Sequence, residues 1–232
     1  MIKTEVPEFK QLVYDDTVTG KKLHYNLFIP QNTDAGKEYP LVLFMADAST
    51  PGTDVIRPLI QGYGALVWAT EEWQKRHPCY VLVPQYSGVA VNDTYEHTDE
   101  VDIVMRLVKE IAREKNIDPN RLYTTGQSMG GMISMYFNVT YPDVFAASIF
   151  VDCHWDSRTF PELVKHKFTF ITAGKAGTFD ALETAARIAG VRYEYEKWSA
   201  KLPQQEQDRL AFEELAKGAP INIINFALLL VR

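Results

Sequence analysis

The residues best suited to covalent chemistry are Gly126-Gln127-Ser128-Met129-Gly130, in which glycines stand two positions before and two positions after a serine. The preceding run Leu122–Thr125 predicts a strand, and the segment that follows predicts a helix. In so tight a turn, side chains at both glycine positions would collide with neighbouring backbone. The serine hydroxyl would then lie near a helix N-terminus, where the local field favours developing negative charge. The pattern predicts Ser128 as the nucleophile of an acyl transfer, with the Met129 N–H as one oxyanion donor.

A glycine-rich strand-to-helix turn without any chemistry is the alternative interpretation of this motif. Its context favours the nucleophile, because short apolar runs alternate with amphipathic segments around it. Predicted strands are Leu41–Met45, Tyr80–Val83, Leu122–Thr125, Ala146–Val151, Phe168–Thr172 and Val191–Tyr195. Predicted helices are Glu71–Arg76, Thr98–Asn116, Met129–Val139, Ala181–Ala189 and Gln204–Ala216. Because these strands are apolar on both faces, we predict an α/β fold with a mostly parallel central sheet and helices on both faces.

The N-terminal part of the chain follows a different pattern. Two extended runs, Phe9–Tyr14 and Leu23–Ile29, are joined by a turn-forming segment and predict an antiparallel hairpin. The segment Ser49–Ala65 contains too many proline and glycine residues to be assigned to a helix or a strand. We predict one domain that covers residues 1–232.

Composition and charge exclude several classes of function. The chain has 30 acidic and 24 basic residues, a formal net charge of −6. Without a cluster of lysine and arginine, this balance argues against binding to nucleic acid or to an anionic membrane. Cys79 and Cys153 are too few for a disulfide framework and lack the paired spacing of a metal site, so we expect both to be buried. We expect no metal or organic cofactor.

The two ends of the sequence suggest where the protein is found. The N-terminus has no apolar stretch behind a basic start, which predicts a cytoplasmic protein, although a secreted form with its signal removed fits as well. The longest apolar run, Phe226–Val231, is shorter than the about 20 residues needed to span a bilayer. The oligomeric state stays open, and a dimer is compatible with the sequence.

Three stretches carry a resemblance to a known family: Ile117–Tyr123, Gly126–Gly131 and Tyr141–Ala147. With them the chain resembles the α/β-hydrolase superfamily, and within it the bacterial esterases grouped with polyhydroxybutyrate depolymerases and often labelled predicted peptidases. The similarity extends from about Leu23 to Phe226. It implies a serine nucleophile, a second oxyanion donor after the first central strand, an acid after a late strand, and a histidine near the C-terminus.

The resemblance assigns the second oxyanion donor to the backbone N–H of Ala48. The family usually has His-Gly in this loop, whereas this chain has Ala46-Asp47-Ala48-Ser49. A backbone donor survives such side-chain changes. An ionised Asp47 pointing into the hole would oppose an oxyanion, so we expect its carboxylate to turn away and accept hydrogen bonds from loop amides.

The triad acid is less clear. The resemblance places it after the strand Phe168–Thr172, where Asp180 is the available carboxylate. Asp180 with Glu183 also fits a helix N-cap and its partner three residues on, which is the interpretation that we favour. Some hydrolases of this fold take the acid after the preceding strand, which makes Asp152 or Asp156 the second option.

The general base departs furthest from the family pattern. The five histidines are His24, His77, His97, His154 and His166. None of them follows Asp180, although the triad order of this fold is serine, acid, histidine. Three of them are most simply surface residues: His24 in the N-terminal strand, His77 at a helix end and His166 between two lysines. His154 leaves the sheet at the edge where Ser128 emerges and is a candidate base, although a pocket-wall role is the simpler expectation. We expect the chain to be a C-terminally truncated or frame-altered form of a longer esterase.

Together these observations predict a serine carboxylic-ester hydrolase that acts on a small-molecule substrate, a short-chain or aromatic acyl ester, through an acyl-enzyme at Ser128. We predict that Asp47, Gln127 and Trp155 contact the substrate. Two alternatives stay open: a non-catalytic binding protein of the same fold, and a peptidase or thioesterase that uses the same nucleophile.

Overall fold

The computed structural model describes residues 8–31, 33–34, 36–173, 177–197 and 226–231. The strands are β1 (Lys10–Asp15), β2 (Lys22–Phe28), β3 (Tyr39–Met45), β4 (Tyr80–Gln85), β5 (Ile117–Gln127), β6 (Ala147–Val151), β7 (Phe168–Ala173), β8 (Tyr193–Lys197) and β9 (Phe226–Val231). The α-helices are α1 (Arg57–Ile60), α2 (Glu71–Arg76), α3 (Asp99–Glu114), α4 (Met129–Thr140), α5 (Phe160–Leu163) and α6 (Gly177–Ile188).

All of these strands belong to one sheet, in the order β1-β2-β4-β3-β5-β6-β7-β9-β8. The five central strands, β3 to β7, run parallel to one another. The hairpin of β1 and β2 adds antiparallel strands at one edge, and β9 lies antiparallel between β7 and β8 at the other. The predicted mostly parallel α/β sheet with an N-terminal hairpin is therefore confirmed.

Both faces of the central strands are covered, as their continuous apolar sequences predict. On one face, buried residues of α3 and α4 pack on Leu43, Leu82 and Phe150. On the other, Val42, Phe44 and Val81 meet the segment that contains α1 and a 3₁₀ turn at Leu66–Ala69. Among the described helices, none combines the length and the apolar character needed to cross a membrane.

The packing of helix α3 follows its sequence pattern. Its apolar stripe is buried, three acidic residues occupy its first turn, and the preceding Thr98 has the extended backbone of an N-cap. The Thr98 side chain nevertheless makes no capping hydrogen bond. Helix α3 is therefore held by its buried stripe and its acidic first turn.

The start of α6 differs from the sequence prediction. Helix α6 begins at Gly177 and not at Ala181, so Asp180 lies inside the first turn and the N-cap interpretation is wrong. The two positions are hard to separate from sequence, because a carboxylate is favourable both at the cap and within the first turn. The predicted helix Gln204–Ala216 lies outside the described residues.

Both cysteines are free and buried, which confirms the expectation from the sequence. Burial raises the pKa of Cys79 to about 11 and also raises the pKa of Cys153. Since the thiolate is the reactive form, neither thiol is suited to act as a nucleophile at neutral pH.

An ion pair joins the N-terminal hairpin to α3. The Arg106 guanidinium donates two hydrogen bonds to the fully buried Asp16 carboxylate, from Nε at 2.6 Å and from a terminal nitrogen at 2.9 Å. The Thr19 hydroxyl and amide donate to the same carboxylate at 2.6 and 2.9 Å. Arg106 hydrogen bonding holds the pKa of Asp16 well below its usual value.

We predict that Asp16→Asn lowers the free energy of unfolding by about 3 kcal/mol at pH 7, because it breaks a buried pair whose other member keeps its charge. A depressed carboxyl pKa stabilises the folded state above the unfolded pKa, about 4, and this stabilisation is lost as pH falls below it. The difference in unfolding free energy between wild type and variant should therefore shrink as the pH falls from about 4 to about 2. Urea titrations at several pH values would measure this change.

The matched control is Asp15→Asn in the same hairpin, since the Asp15–Lys22 pair is exposed and should contribute little. Equal effects of the two substitutions at pH 7 would contradict the assigned role of Asp16.

Candidate active site

Ser128 stands at the sharp turn between β5 and α4. It is exposed, and its backbone has φ 50° and ψ −118°, a conformation that costs free energy in a residue with a side chain. Its N–H donates to the Val151 carbonyl at 3.0 Å, and its carbonyl accepts the Met132 N–H at 2.9 Å. Backbone hydrogen bonds from β6 and α4 therefore hold the strained serine in place.

The glycines on either side of Ser128 are required by close backbone contacts. A Cβ on Gly130 would lie 1.9 Å from the Met45 carbonyl oxygen, and one on Gly126 would lie 2.4 Å from the Gly130 carbonyl carbon. No side chain fits at either position, as the sequence argument predicts. Gly131, which that argument did not single out, has a similar restriction, because its Cβ would lie 2.6 Å from Cys153 Sγ.

Two backbone N–H groups are available as oxyanion donors. Met129 is the first residue of α4, where an N–H has no acceptor within the helix. Ala48 is exposed in the turn that follows β3. Within the part of the chain that the structure describes, neither N–H donates to another protein group. The contact of Gly130 with the end of β3 brings the two segments that carry these donors together.

The Asp47 side chain is engaged by its own loop. Its Oδ1 accepts the Ser49 N–H at 2.8 Å and the Ser49 hydroxyl at 2.6 Å, and its Oδ2 accepts Gln61 Nε2 at 2.7 Å. These are hydrogen bonds to loop groups of the kind that the sequence argument expected. The carboxylate charge is thus compensated within the loop.

His154 and Trp155 lie in an aromatic cluster at the carboxyl edge of the sheet. The Tyr95 ring contacts His154 and Trp155 at centroid distances of 5.9 and 5.3 Å, and Tyr136 contacts Trp155 at 5.9 Å. Trp155 is 7% exposed, so little of its indole surface is open to a ligand, whereas His154 is 43% exposed. His154 Nε2 lies 3.6 Å from Asp93 Oδ1.

His97 belongs to the same cluster, although sequence analysis gave it no role. Its ring centroid is 4.4 Å from that of Tyr136. A signal was available, because His97 lies in the loop after β4 and such loops meet at the carboxyl edge of a parallel sheet. The loop reaches the serine turn, since the Ala90 N–H lies 3.4 Å from Met129 Sδ.

The other three histidines lie elsewhere. His24 is on β2, three strands from β5, while His77 and His166 precede the amino ends of β4 and β7. Partial burial lowers the pKa of His166. These three positions agree with structural or surface roles.

The candidate acids occupy three different settings. Asp152 follows β6 at φ 42° and accepts a hydrogen bond from the Thr172 hydroxyl at 3.2 Å. Asp156 binds the guanidinium and the N–H of Arg158. Asp180 is exposed in the first turn of α6. The carboxylate found beside His154 is that of Asp93, which sequence analysis missed.

Substrate contact was also predicted for Gln127, the last residue of β5. Its side-chain oxygen lies beside Gly62, in the segment that follows α1. Within the described residues, no cluster of three or more potential metal ligands is present.

A cavity of about 690 Å³ lies away from Ser128. It opens at the amino ends of the strands, and its walls include Trp68, Trp73, Tyr123, Ile149 and Phe168. Because Ser128 emerges at the carboxyl end of β5, this cavity is not the site of the predicted acyl transfer.

Comparison with known proteins finds similarity to a peptidase family, a depolymerase and an esterase. Residues 91–197 match the model of the prolyl oligopeptidase family. A poly(3-hydroxyalkanoate) depolymerase C from Paucimonas lemoignei is 33% identical over 82 residues, which cover 31% of this chain and 20% of that protein. The structure of a thermostable esterase is 27% identical with a TM-score of 0.73, over 78% of this chain and 52% of that one.

A ferulic acid esterase shares the fold at 13% identity, with a TM-score of 0.61 over 80% of this chain and 87% of that one. The present chain thus spans about half the length of the thermostable esterase and a fifth of the depolymerase. Since its sheet, its serine turn and its likeness to esterase structures all agree, the chain has the α/β-hydrolase fold with an esterase-like architecture.

Proposed function

We propose that this chain is a serine carboxylic-ester hydrolase that forms an acyl-enzyme at Ser128. The observation that carries the proposal is an exposed serine in a strained turn, with the Ala48 and Met129 N–H groups free of acceptors among the described residues. Donors fixed in this way stabilise an oxyanion without rearranging during the reaction, which is commonly the largest single contribution to acyl-transfer catalysis.

The reaction follows from this arrangement. Ser128 Oγ attacks the ester carbonyl carbon, its proton passes to a base, and the carbonyl oxygen becomes an oxyanion bound by the two N–H groups. Collapse of the tetrahedral intermediate breaks the ester C–O bond, and the leaving alcohol takes the proton. Water then attacks the acyl-enzyme by the same route, which releases the carboxylic acid and restores Ser128.

His154 is the base that we propose for this reaction. It lies three residues beyond Val151, whose carbonyl accepts the Ser128 N–H, so it leaves the sheet next to the nucleophile. Asp93 lies near His154 Nε2 and would stabilise the imidazolium that forms when the serine proton is transferred. In this proposal Asp93 takes the role for which the sequence offered Asp180.

The substrate class that we propose is a small ester with a short or aromatic acyl group. Support comes from the half-buried rings of Tyr95 and Tyr136, which pack on Trp155 at the edge where Ser128 emerges. A peptidase is the second candidate, because residues 91–197 match the prolyl oligopeptidase family.

We predict that an activated fluorophosphonate adds one phosphonyl group per wild-type chain and none to Ser128→Ala, as measured by intact mass. Ser134→Ala is the matched control, since Ser134 is a buried serine in the helix that follows Ser128 and its loss should leave labelling intact. Folded wild-type protein that forms no adduct would favour a non-catalytic binding protein.

Substrate class is tested with the same preparation. p-Nitrophenyl acetate and butyrate should be hydrolysed with a higher kcat/KM than p-nitroanilides of short peptides, and Ser128→Ala should abolish the difference. Faster cleavage of the anilides would support the peptidase instead.

For the base, we predict that His154→Gln lowers kcat for p-nitrophenyl acetate by about 10²- to 10⁴-fold with little change in KM, because proton transfer is lost and the pocket is kept. His97→Gln, in the same aromatic cluster, is the matched control and should change kcat by less than about threefold. A His154→Gln variant that changes KM alone would make His154 a pocket-wall residue.

A further inference from the structure

The loop that carries the Ala48 donor has an internal brace at Thr50. The Thr50 N–H and hydroxyl both donate to the Asp47 carbonyl, at 3.3 and 3.0 Å. In a planar trans peptide, the carbonyl of one residue and the N–H of the next point in opposite directions. By fixing the Asp47 carbonyl, Thr50 therefore fixes the direction of the Ala48 N–H.

Thr50 is in turn held by Gln85, the last residue of β4. Gln85 Nε2 lies 3.1 Å from the Thr50 carbonyl, 3.0 Å from the Gly52 carbonyl and 3.1 Å from the Tyr86 carbonyl. The Gly52 N–H also donates to the Tyr86 carbonyl at 2.9 Å. A single buried amide thus ties the loop after β3 to the end of β4, across more than 30 residues of sequence.

Burial of the Gln85 side chain costs free energy, which the hydrogen bonds of its Nε2 group offset. Gln85 and Thr50 are each 5% exposed, and within the described residues Gln85 Oε1 is buried without a hydrogen-bond partner. An unpaired buried acceptor is unfavourable, and an apolar side chain of similar size would avoid it. The three carbonyls that converge on Nε2 are the contacts that offset this cost.

From these contacts we infer that Gln85 and Thr50 are positioning residues for the oxyanion hole. Gln85 sets the Thr50 peptide, Thr50 sets the Asp47 carbonyl, and this carbonyl sets the Ala48 N–H. The inference rests on the proposed esterase function. It adds a chain of hydrogen bonds that runs from β4 to the Ala48 N–H. Through this chain, Gln85 and Thr50 affect stabilisation of the transition state without touching the substrate.

The experiment compares Thr50→Val and Gln85→Leu with the wild type. Complete loss of an oxyanion donor costs about 10²- to 10³-fold in kcat, so a misdirected donor should lower kcat by about 10-fold or more. KM for p-nitrophenyl acetate should stay within about twofold, because the ground-state ester gains little from the hole. The inhibition constant of a trifluoromethyl ketone, which forms a tetrahedral oxyanion adduct, should rise in parallel with the loss in kcat.

Two controls separate positioning from stability. Thr50→Ser keeps the hydroxyl and should recover most of the rate. Thr124→Val removes a buried hydroxyl that is bonded to Ser134 and not to the loop, so it should lower the melting temperature without changing kcat per folded molecule. Thr50→Val is nearly isosteric and carries the test even where Gln85→Leu yields no folded protein.

The outcomes distinguish this inference from the function on which it rests. Wild-type protein that forms no fluorophosphonate adduct would overturn the esterase proposal, and the positioning role with it. Normal labelling with unchanged kcat and ketone affinity in Thr50→Val would overturn the positioning role alone. If Gln85 acts through Thr50, the double variant should lose less activity than the product of the two single losses.

Discussion

The close approach of α4 to the end of β3 is the constraint on which the site depends. The space above the Met45 carbonyl is filled by the Gly130 backbone, and a single added carbon atom at Gly130 would overlap it. This contact places the first turn of α4 beside the loop that leaves β3. Both proposed oxyanion donors, the N–H groups of Met129 and Ala48, are close to that contact in sequence.

Such an arrangement stores unfavourable free energy that the rest of the fold must offset. Ser128 has a positive φ, and the Met129 and Ala48 N–H groups have no protein acceptor in the part of the chain that the structure describes. The surrounding sheet provides the compensation, because β3 and β4 are almost wholly buried and β3 is paired with both β4 and β5. A packed core of this kind can hold the Ser128 backbone in a strained conformation and keep the two N–H groups available to a ligand. A loop without such support would relax.

The sequence predicted the parts of the fold and the site that are determined locally. The turn around Ser128 has a local signature in its two glycines, although the atom that excludes a side chain at Gly130 is the distant Met45 carbonyl oxygen. The parallel strands follow from their two-sided apolar pattern. Gln85 and Asp93 were missed because their partners, Thr50 and His154, are distant in sequence and no local pattern marks such contacts. The start of α6 was misplaced for a different reason, since Asp180 suits either a cap or a first turn.

The loop between β4 and α3 has a larger part in the site than its composition suggests. It is closed by a bridge between Val91 and His97, and Tyr95 near its tip takes a left-handed backbone conformation, at φ 69°. From there Tyr95 contacts both His154 and Trp155, while Asp93 approaches His154 from the same turn. The setting of the candidate base is thus determined by β4 on one side and β6 on the other.

Because Gln85, at the end of β4, also braces the Ala48 loop, this strand is connected to both the proposed proton-transfer group and the proposed oxyanion donor. The proposed nucleophile, base and oxyanion donor therefore follow three adjacent strands, β5, β6 and β3, so a shift of one strand relative to the others would change the geometry among them.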